Sequence, residues 1–375
     1  MRRVLFLLLT WLAGAAPANA RPWPCLPPMF EGGQRLHARR VEVFWLPPLL
    51  RQHELCWRVP AAPGELRVGL IGNSSVYGLP LPVELTVGGL LNLRFDASRT
   101  PAHFFNLAQV TPYQVRDAVV IQAVLPYQLD VIVYPMTVTE FLHWAPAPYP
   151  NYAQFFSANR GLVERMAEAP PAGLEEPFER YRASFDADSA AAFITEPLRE
   201  IGAFARLAVR IAAGEVRKRL NSLPHPRPSG LPGRATAYDC DRTRMQNQRD
   251  FQNWQRWNIL AYLEQLQRER DIPVLVVHWP VAHEPVGDCY NMRFTNALAA
   301  EFVDWLAAET RARGLAYLDL HDLLPNVEFI DSLHATALGH RHIADAIAPV
   351  LEPILEQRLA RAGKPFAVDG GRSAR

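Results

Sequence analysis

Residues 66–75 read Leu-Arg-Val-Gly-Leu-Ile-Gly-Asn-Ser-Ser, a short apolar run that ends in a turn. A stretch with helical periodicity follows, from about Pro82 to Asn92. The order is therefore strand, turn, helix. In α/β proteins such a turn lies at the carboxyl end of its strand, where ligands collect.

The same unit recurs along the chain. Short apolar runs at residues 103–108, 129–134, 273–278 and 315–320 predict further strands. Helical patterns begin at about Pro112 and cover about 244–269, 291–313 and 336–360. Strands that are apolar on both faces and alternate with helices predict an α/β fold, with a parallel sheet covered on both sides.

Composition limits the classes of function. The chain has 375 residues, of which 49% are hydrophobic and 21% charged, so it is long and apolar enough for one large domain or two ordinary ones. Its formal net charge is only +1. Because nucleic-acid binding needs an excess of basic residues against phosphate, we expect no nucleic-acid partner.

The N-terminus has the pattern of an export signal. Arg2 and Arg3 precede an apolar stretch from Val4 to about Ala16, and Pro-Ala-Asn-Ala follows at 17–20. This order predicts a cleaved signal peptide over residues 1–20 and an extracytoplasmic location, periplasmic or secreted. The alternative is an uncleaved anchor, which is less favoured because the run is shorter than the ~20 residues of a membrane span.

A long interruption divides the predicted sheet. Residues 141–235 are interpreted as an inserted helical cap, which contains a basic amphipathic helix at about 198–219. Such a helix ordinarily packs its apolar face on the protein, and contact with a membrane surface is the alternative. The chain then divides into a signal peptide (1–20), a small proline-rich N-terminal appendage (21–64), a main domain (65–140 and 236–362) around the cap (141–235), and a flexible tail (363–375).

The four cysteines are even in number and lie after the predicted signal peptide, in a compartment that favours disulfides. Three pairings are possible. Cys25 with Cys56 and Cys240 with Cys289 are favoured, since each pair closes a segment outside the predicted strands. Four free, buried thiols are the alternative.

An acid and a base lie three residues apart in Asp331-Ser-Leu-His334, just before the last helix. A serine hydroxyl becomes a good nucleophile only when a base takes its proton and an acid orients that base. Ser74, His334 and Asp331 can fill these roles, because the turn after the first strand and the loop before the last helix meet at one edge of the sheet. The structural alternative is that Ser74 and Asp331 cap helices and His334 lies on the surface.

The remaining histidines near this edge are given no catalytic role. His340 and His342 are two residues apart, would lie on different faces of a helix, and are interpreted as structural. His278 and His283 flank the end of a predicted strand and would line the site. We predict no metal site.

The Gly-x-Ser block at 72–74 and the Asp-x-x-His block at 331–334 resemble blocks I and V of the SGNH, or GDSL-type, hydrolases. The resemblance covers residues 66–139 and 244–355. It implies a three-layer α/β/α sandwich, flavodoxin-like, with about five parallel strands, no required cofactor, and ester hydrolysis or acyl transfer. It also implies that Ser74 is the nucleophile, His334 the general base and Asp331 its orienting acid.

Two positions depart from the family pattern, and both concern the oxyanion hole. Where the resemblance implies a block II glycine, this chain has Val110 and Thr111, and the closest match to the block III asparagine is Thr139. With the Ser74 backbone N–H, these are the expected oxyanion donors. Losing one side-chain donor typically lowers the rate ~10²- to 10³-fold.

The sequence thus predicts an exported, cofactor-independent serine esterase that acts on an acyl ester, such as an O-acetyl group, of a small molecule or glycan. One alternative is an acyltransferase that uses the same triad on an extracytoplasmic polysaccharide. The other is a catalytically silent glycan-binding protein that keeps the fold.

Overall fold

A computed structural model describes residues 65–361, except 79–80, 96–97, 99, 101, 109–113, 128, 143–159, 181–239, 286 and 292. The predicted signal peptide, N-terminal appendage and tail therefore lie outside the described residues, as do Cys25 and Cys56. So does most of the predicted cap.

A five-stranded parallel sheet forms the centre of the protein. Its strands are β1 (Leu66–Leu70), β2 (Ala102–Asn106), β3 (Val131–Met136), β4 (Val274–His278) and β7 (Ala316–Asp319), and a separate antiparallel pair joins β5 (Cys289–Asn291) to β6 (Phe294–Thr295). The order of the strands in the main sheet is β2-β1-β3-β4-β7.

Helices cover both faces of the sheet, which confirms the α/β fold and the three-layer arrangement. The helices are α1 (Ser74–Tyr77), α2 (Val87–Phe95), α3 (Gln114–Val124), α4 (Arg160–Glu168), α5 (Cys240–Arg256), α6 (Leu260–Arg270), α7 (Asn296–Ala312) and α8 (Ala337–Arg361). One apolar core lies between the sheet and the helices α2 and α8, and a second lies between the sheet and α3, α6 and α7.

All five predicted strands are present, each with both ends within two residues of the prediction. The third begins at Val131 rather than Leu129, because Asp130 is already hydrogen-bonded to Arg67 before the strand pairing begins. The Asp130 carboxylate accepts a hydrogen bond from the backbone N–H of Arg67 at 3.0 Å, and the Asp130 N–H donates to the Arg67 carbonyl at 2.8 Å. This reciprocal contact aligns β3 against β1.

The prediction of one helix over 244–269 is wrong, because two helices, α5 and α6, are separated at Trp257–Ile259. The amide oxygen of Asn258 accepts from the Leu260 N–H at 3.0 Å, and Gln114 Oε1 accepts from the Ile259 N–H at 2.9 Å. Side chains thus satisfy donors that a continuous helix would bond internally.

The helix predicted from residue 291 begins instead at Asn296, after the β5–β6 pair. Thr295 is its N-cap, and its hydroxyl accepts from the Leu298 N–H at 3.2 Å. An N-cap residue has extended backbone angles, so the helix cannot continue upstream of it.

Part of the predicted insertion is described. Helix α4 contacts α3, and residues 175–180 are also helical. Val163, Met166, Leu174 and Phe178 are buried in the same core as α3, α6 and α7. Within the described ranges, no helix is both long enough and apolar enough to cross a membrane.

Candidate active site

Ser74 is the first residue of the single-turn helix α1, directly beyond the carboxyl end of β1. Gly72 permits this sharp turn, since a Cβ there would lie 2.8 Å from Val76 Cγ2 and 3.5 Å from the Pro135 carbonyl oxygen. Gly78 ends the turn in the left-handed conformation, with φ +84°. The backbone therefore holds Ser74 at the edge of the sheet, with 8% of its surface exposed.

The structure brings the three predicted triad residues together. Ser74 Oγ lies 2.9 Å from His334 Nε2, although 260 residues separate them in the chain. His334 Nδ1 lies 2.7 Å from Asp331 Oδ2 and 2.9 Å from Oδ1. An imidazole with its Nδ1–H on the carboxylate leaves Nε2 free to accept the Ser74 proton.

A closed loop fixes the acid and the base. The Ile330 N–H donates to the His334 carbonyl at 2.7 Å, which turns the chain back on itself. Asp331 Oδ1 accepts from the backbone N–H groups of Leu333 and His334 at 2.8 and 2.9 Å. Burial alone would raise the pKa of Asp331, but these bonds and the His334 ring lower it below the usual value, so the acid stays ionised.

Glu140, a buried carboxyl, stabilises the turn that carries Ser74. Asn73 donates through Nδ2 to Glu140 Oε1 and accepts the Ser75 N–H at 2.8 Å through Oδ1, so both ends of its amide are fixed. Glu140 Oε2 also accepts from the Thr137 N–H at 2.7 Å. Burial raises the pKa of Glu140 to about 7 despite the opposing hydrogen bonds from Thr137.

Of the three expected oxyanion donors besides Ser74, the structure describes one, Thr139. Val110 and Thr111 lie outside the described residues. Thr139 is buried in the turn Val138–Phe141 after β3, and its hydroxyl shares a short hydrogen bond with that of Thr137. A role for any of them at an oxyanion stays a prediction.

The other histidines serve different purposes. His340 is fully buried, and its Nδ1 accepts the Val87 N–H at 3.2 Å, whereas His342 Nδ1 pairs with Glu328 at 2.9 Å. The exposed ring of His283 stacks on Tyr290 with 4.3 Å between centroids. His278 ends β4, and its Nδ1 lies 3.3 Å from Asp319 Oδ1.

Sequence reasoning missed two groups of residues at this edge. The pattern Thr137-x-x-Glu140 is a capping box, which would have revealed that Glu140 folds back onto its own turn. His278 was expected to line the site, but its grouping with Asp319 and His321 was not; the signal was that all three lie near the ends of two predicted strands.

No protein-family model matches the sequence, and a search of curated proteins finds no match. Solved structures similar to this chain include a carbohydrate acetylesterase family member from Sinorhizobium meliloti, with 12% identity and TM-score 0.35 over 79% of this chain and 99% of that one. A second carbohydrate acetylesterase from that species has 12% identity and TM-score 0.36 over 77% and 99%. A Lactobacillus plantarum protein has 13% identity and TM-score 0.37 over 77% and 97%.

Proposed function

We propose that the protein is an exported, cofactor-independent serine esterase of the SGNH type. The observation that carries the proposal is the unbroken chain of contacts from Ser74 Oγ to His334 Nε2 and from His334 Nδ1 to Asp331. At the low identities and TM-scores of the similar structures, the proposal rests on this chain's own geometry. Export rests on the signal-peptide pattern alone.

In the proposed reaction, Ser74 Oγ attacks an ester carbonyl while His334 Nε2 takes its proton. The tetrahedral intermediate collapses to an acyl-serine, and His334 returns the proton to the departing alcohol. Water then attacks the acyl-serine with His334 again as base, which releases the acid and restores the enzyme. Asp331 remains ionised throughout and stabilises the imidazolium.

The proposed substrate is a small acyl ester, such as an O-acetyl group, carried by a glycan or a small molecule. This choice follows from the sequence resemblance. The edge that carries Ser74 and His334 suits an external substrate, because the His334 side chain keeps 17% of its surface exposed and Asp331 keeps 54%. Ser74 itself keeps 8% of its surface exposed, so it lies just below the protein surface.

A fluorophosphonate probe tests the nucleophile, because it labels only a serine that a nearby base activates. We expect the wild type to be labelled and Ser74→Ala not to be. Ser75→Ala is the matched control, since its neighbouring buried hydroxyl instead donates to Asn73 Oδ1 at 2.6 Å. It should keep its label.

Failure to label folded wild-type protein, or equal labelling of Ser74→Ala, would overturn the proposal and leave the silent glycan-binding alternative. Acyl transfer is the second candidate, favoured by the long insertion between β3 and α5. It is separated from hydrolysis by incubating an acyl donor with an oligosaccharide and comparing acylated sugar with free acid by mass spectrometry.

A further inference from the structure

We propose that His278, Asp319 and His321 form a Zn²⁺ site at the ends of β4 and β7, separate from the serine triad. Each residue offers one ligand atom, and the three atoms lie within 4.8 Å of one another. Two imidazoles and a carboxylate are a donor set that Zn²⁺ takes in proteins, with the fourth position left to water.

The distances suit a small ion. Ligand atoms at ~2.0–2.2 Å from a tetrahedral Zn²⁺ lie roughly 3.3 Å apart. His278 Nδ1 is 3.3 Å from Asp319 Oδ1, and His321 Nδ1 is 2.7 Å from the same oxygen in a direct hydrogen bond. Binding would therefore lengthen the separation between His321 Nδ1 and Asp319 Oδ1 by about half an ångström.

His278 supplies a second observation that points to a ligand. Only 5% of its surface is exposed, and its Nδ1 makes no hydrogen bond of good geometry within the described ranges. Buried ring nitrogens ordinarily have a partner. The ring is also held in place, stacked on His321 at 5.3 Å and edge-on to Phe302 at 5.1 Å, so its nitrogen is aimed at Asp319.

A carboxylate beyond the three ligands orients His321. Its Nε2 lies 3.0 Å from Asp322 Oδ2, which leaves Nδ1 as the nitrogen available to an ion. Metal-binding histidines commonly donate their second N–H to a carboxylate in this way. The side chains of Asp319 and His321 are 35% and 30% exposed, so an ion and its water can reach the group from solvent.

The site would join the last two strands of the sheet. His278 and Asp319 are register partners in β4 and β7, and β7 is the last strand of the sheet among the described residues. Four residues beyond His278, the Ala282 N–H donates to the Ser332 carbonyl at 3.1 Å, inside the loop that holds Asp331 and His334. Zn²⁺ would therefore stabilise the frame of the triad without touching substrate.

The test uses the whole chain, free of any polyhistidine tag, kept without reductant and with its metals removed by a chelator. Calorimetric titration with Zn²⁺ should show one bound ion per chain. Thermal unfolding at saturating Zn²⁺ should show a melting temperature raised by ~5 °C. Co²⁺ should give the intense visible bands of a four-coordinate site. Ser74→Ala should bind Zn²⁺ as the wild type does, which separates this site from the triad.

Variants identify the ligands. His321→Gln and Asp319→Asn should lose the titratable site, and Asp322→Asn should weaken it ~10- to 100-fold. His283→Gln, which removes an exposed histidine five residues beyond His278, is the matched control and should bind normally. Circular dichroism checks that each variant folds. The proposal fails if wild type binds no Zn²⁺, or if binding survives in both His321→Gln and Asp319→Asn.

Discussion

Asp331 uses one carboxylate for two tasks. It accepts two backbone N–H groups that shape its loop and also holds the His334 Nδ1–H. An amide cannot do both, because its NH₂ group must face either the backbone donors or the ring. With the NH₂ toward the ring, His334 is held in the tautomer whose Nε2 already carries a proton.

We therefore expect Asp331→Asn to lower kcat by ~10³- to 10⁴-fold on a soluble acetyl ester while the fold is kept. Steady-state hydrolysis of p-nitrophenyl acetate measures the effect. Asp345→Asn, on α8, removes the same charge from an exposed ion pair with Arg94 of α2 and should leave kcat unchanged. A wild-type kcat in Asp331→Asn would mean that this carboxylate does not orient the base.

Glu140 makes stability depend on pH. Its pKa is about 7 in the folded chain and about 4.5 ordinarily, so between these values the folded state holds a proton that the unfolded state has lost. The contribution of Glu140 to the free energy of unfolding should then fall as the pH rises from about 4.5 to 7, by ~3 kcal/mol at most. Burial is the main cause, and the Asp117 carboxylate adds to it.

Urea unfolding of wild type and Glu140→Gln at steps between pH 4.5 and 8 isolates this effect. The variant lacks the titrating group, so the difference between its free energy of unfolding and that of the wild type should become more positive as the pH rises. Parallel curves would show that Glu140 titrates alike in both states. The offset at low pH reports what Asn73 and Thr137 lose when one acceptor oxygen becomes an amide.

Between elements, His340 joins α8 to the start of α2. Its Nδ1 accepts the Val87 N–H, one of the helix N-terminal donors that have no partner within α2. Burial lowers the pKa of His340 to about 4, with a further contribution from His334. Below pH ~6.5 the unfolded chain therefore takes up a proton that the folded chain does not.

The contribution of His340 to the free energy of unfolding should accordingly fall as the pH drops from about 6.5 to 4, by ~3 kcal/mol at most. His340→Phe should lose this dependence, at a constant cost of ~1–3 kcal/mol for the abandoned Val87 N–H. His342→Gln, two residues along α8, is the control because its ring is 45% exposed. If His340→Phe keeps the wild-type slope, His340 is not the group responsible.

Elements with a strong periodic pattern could be predicted from the sequence, and elements set by single contacts could not. The five strands are apolar on both faces and were located within two residues. The break between α5 and α6 depends on Gln114, which lies 145 residues from the backbone N–H that it accepts. No local pattern contains that contact. The β5–β6 pair is similarly short and irregular.

At the scale of the molecule, the candidate site was predictable because topology brings it together. Parallel strands all end at one edge, so the turn after β1 and the loop before α8 had to meet there if both were in the sheet domain. The His278, Asp319 and His321 group follows from the same rule applied to β4 and β7. It was missed because its members come from two segments and no short motif joins them.

A disulfide between Cys240 and Cys289 would crosslink parts of the fold that are distant in sequence. Helix α5 begins at Cys240, and it contacts β5, which begins at Cys289. Pairing of these cysteines stays a prediction, and it would close a loop of about fifty residues that contains α5, α6 and β4. In the chain-entropy account, such a crosslink stabilises the folded state by ~4 kcal/mol.

Non-reducing peptide mapping decides the pairing, because trypsin should leave residues 235–242 joined to residues 271–293. Cys289→Ser should lower the free energy of unfolding by ~4 kcal/mol, and a reductant should then have no further effect through this pair. Crosslinks from Cys240 or Cys289 to Cys25 or Cys56 would contradict the prediction. Such crosslinks would instead join the N-terminal segment, residues 21–64, to α5 or β5.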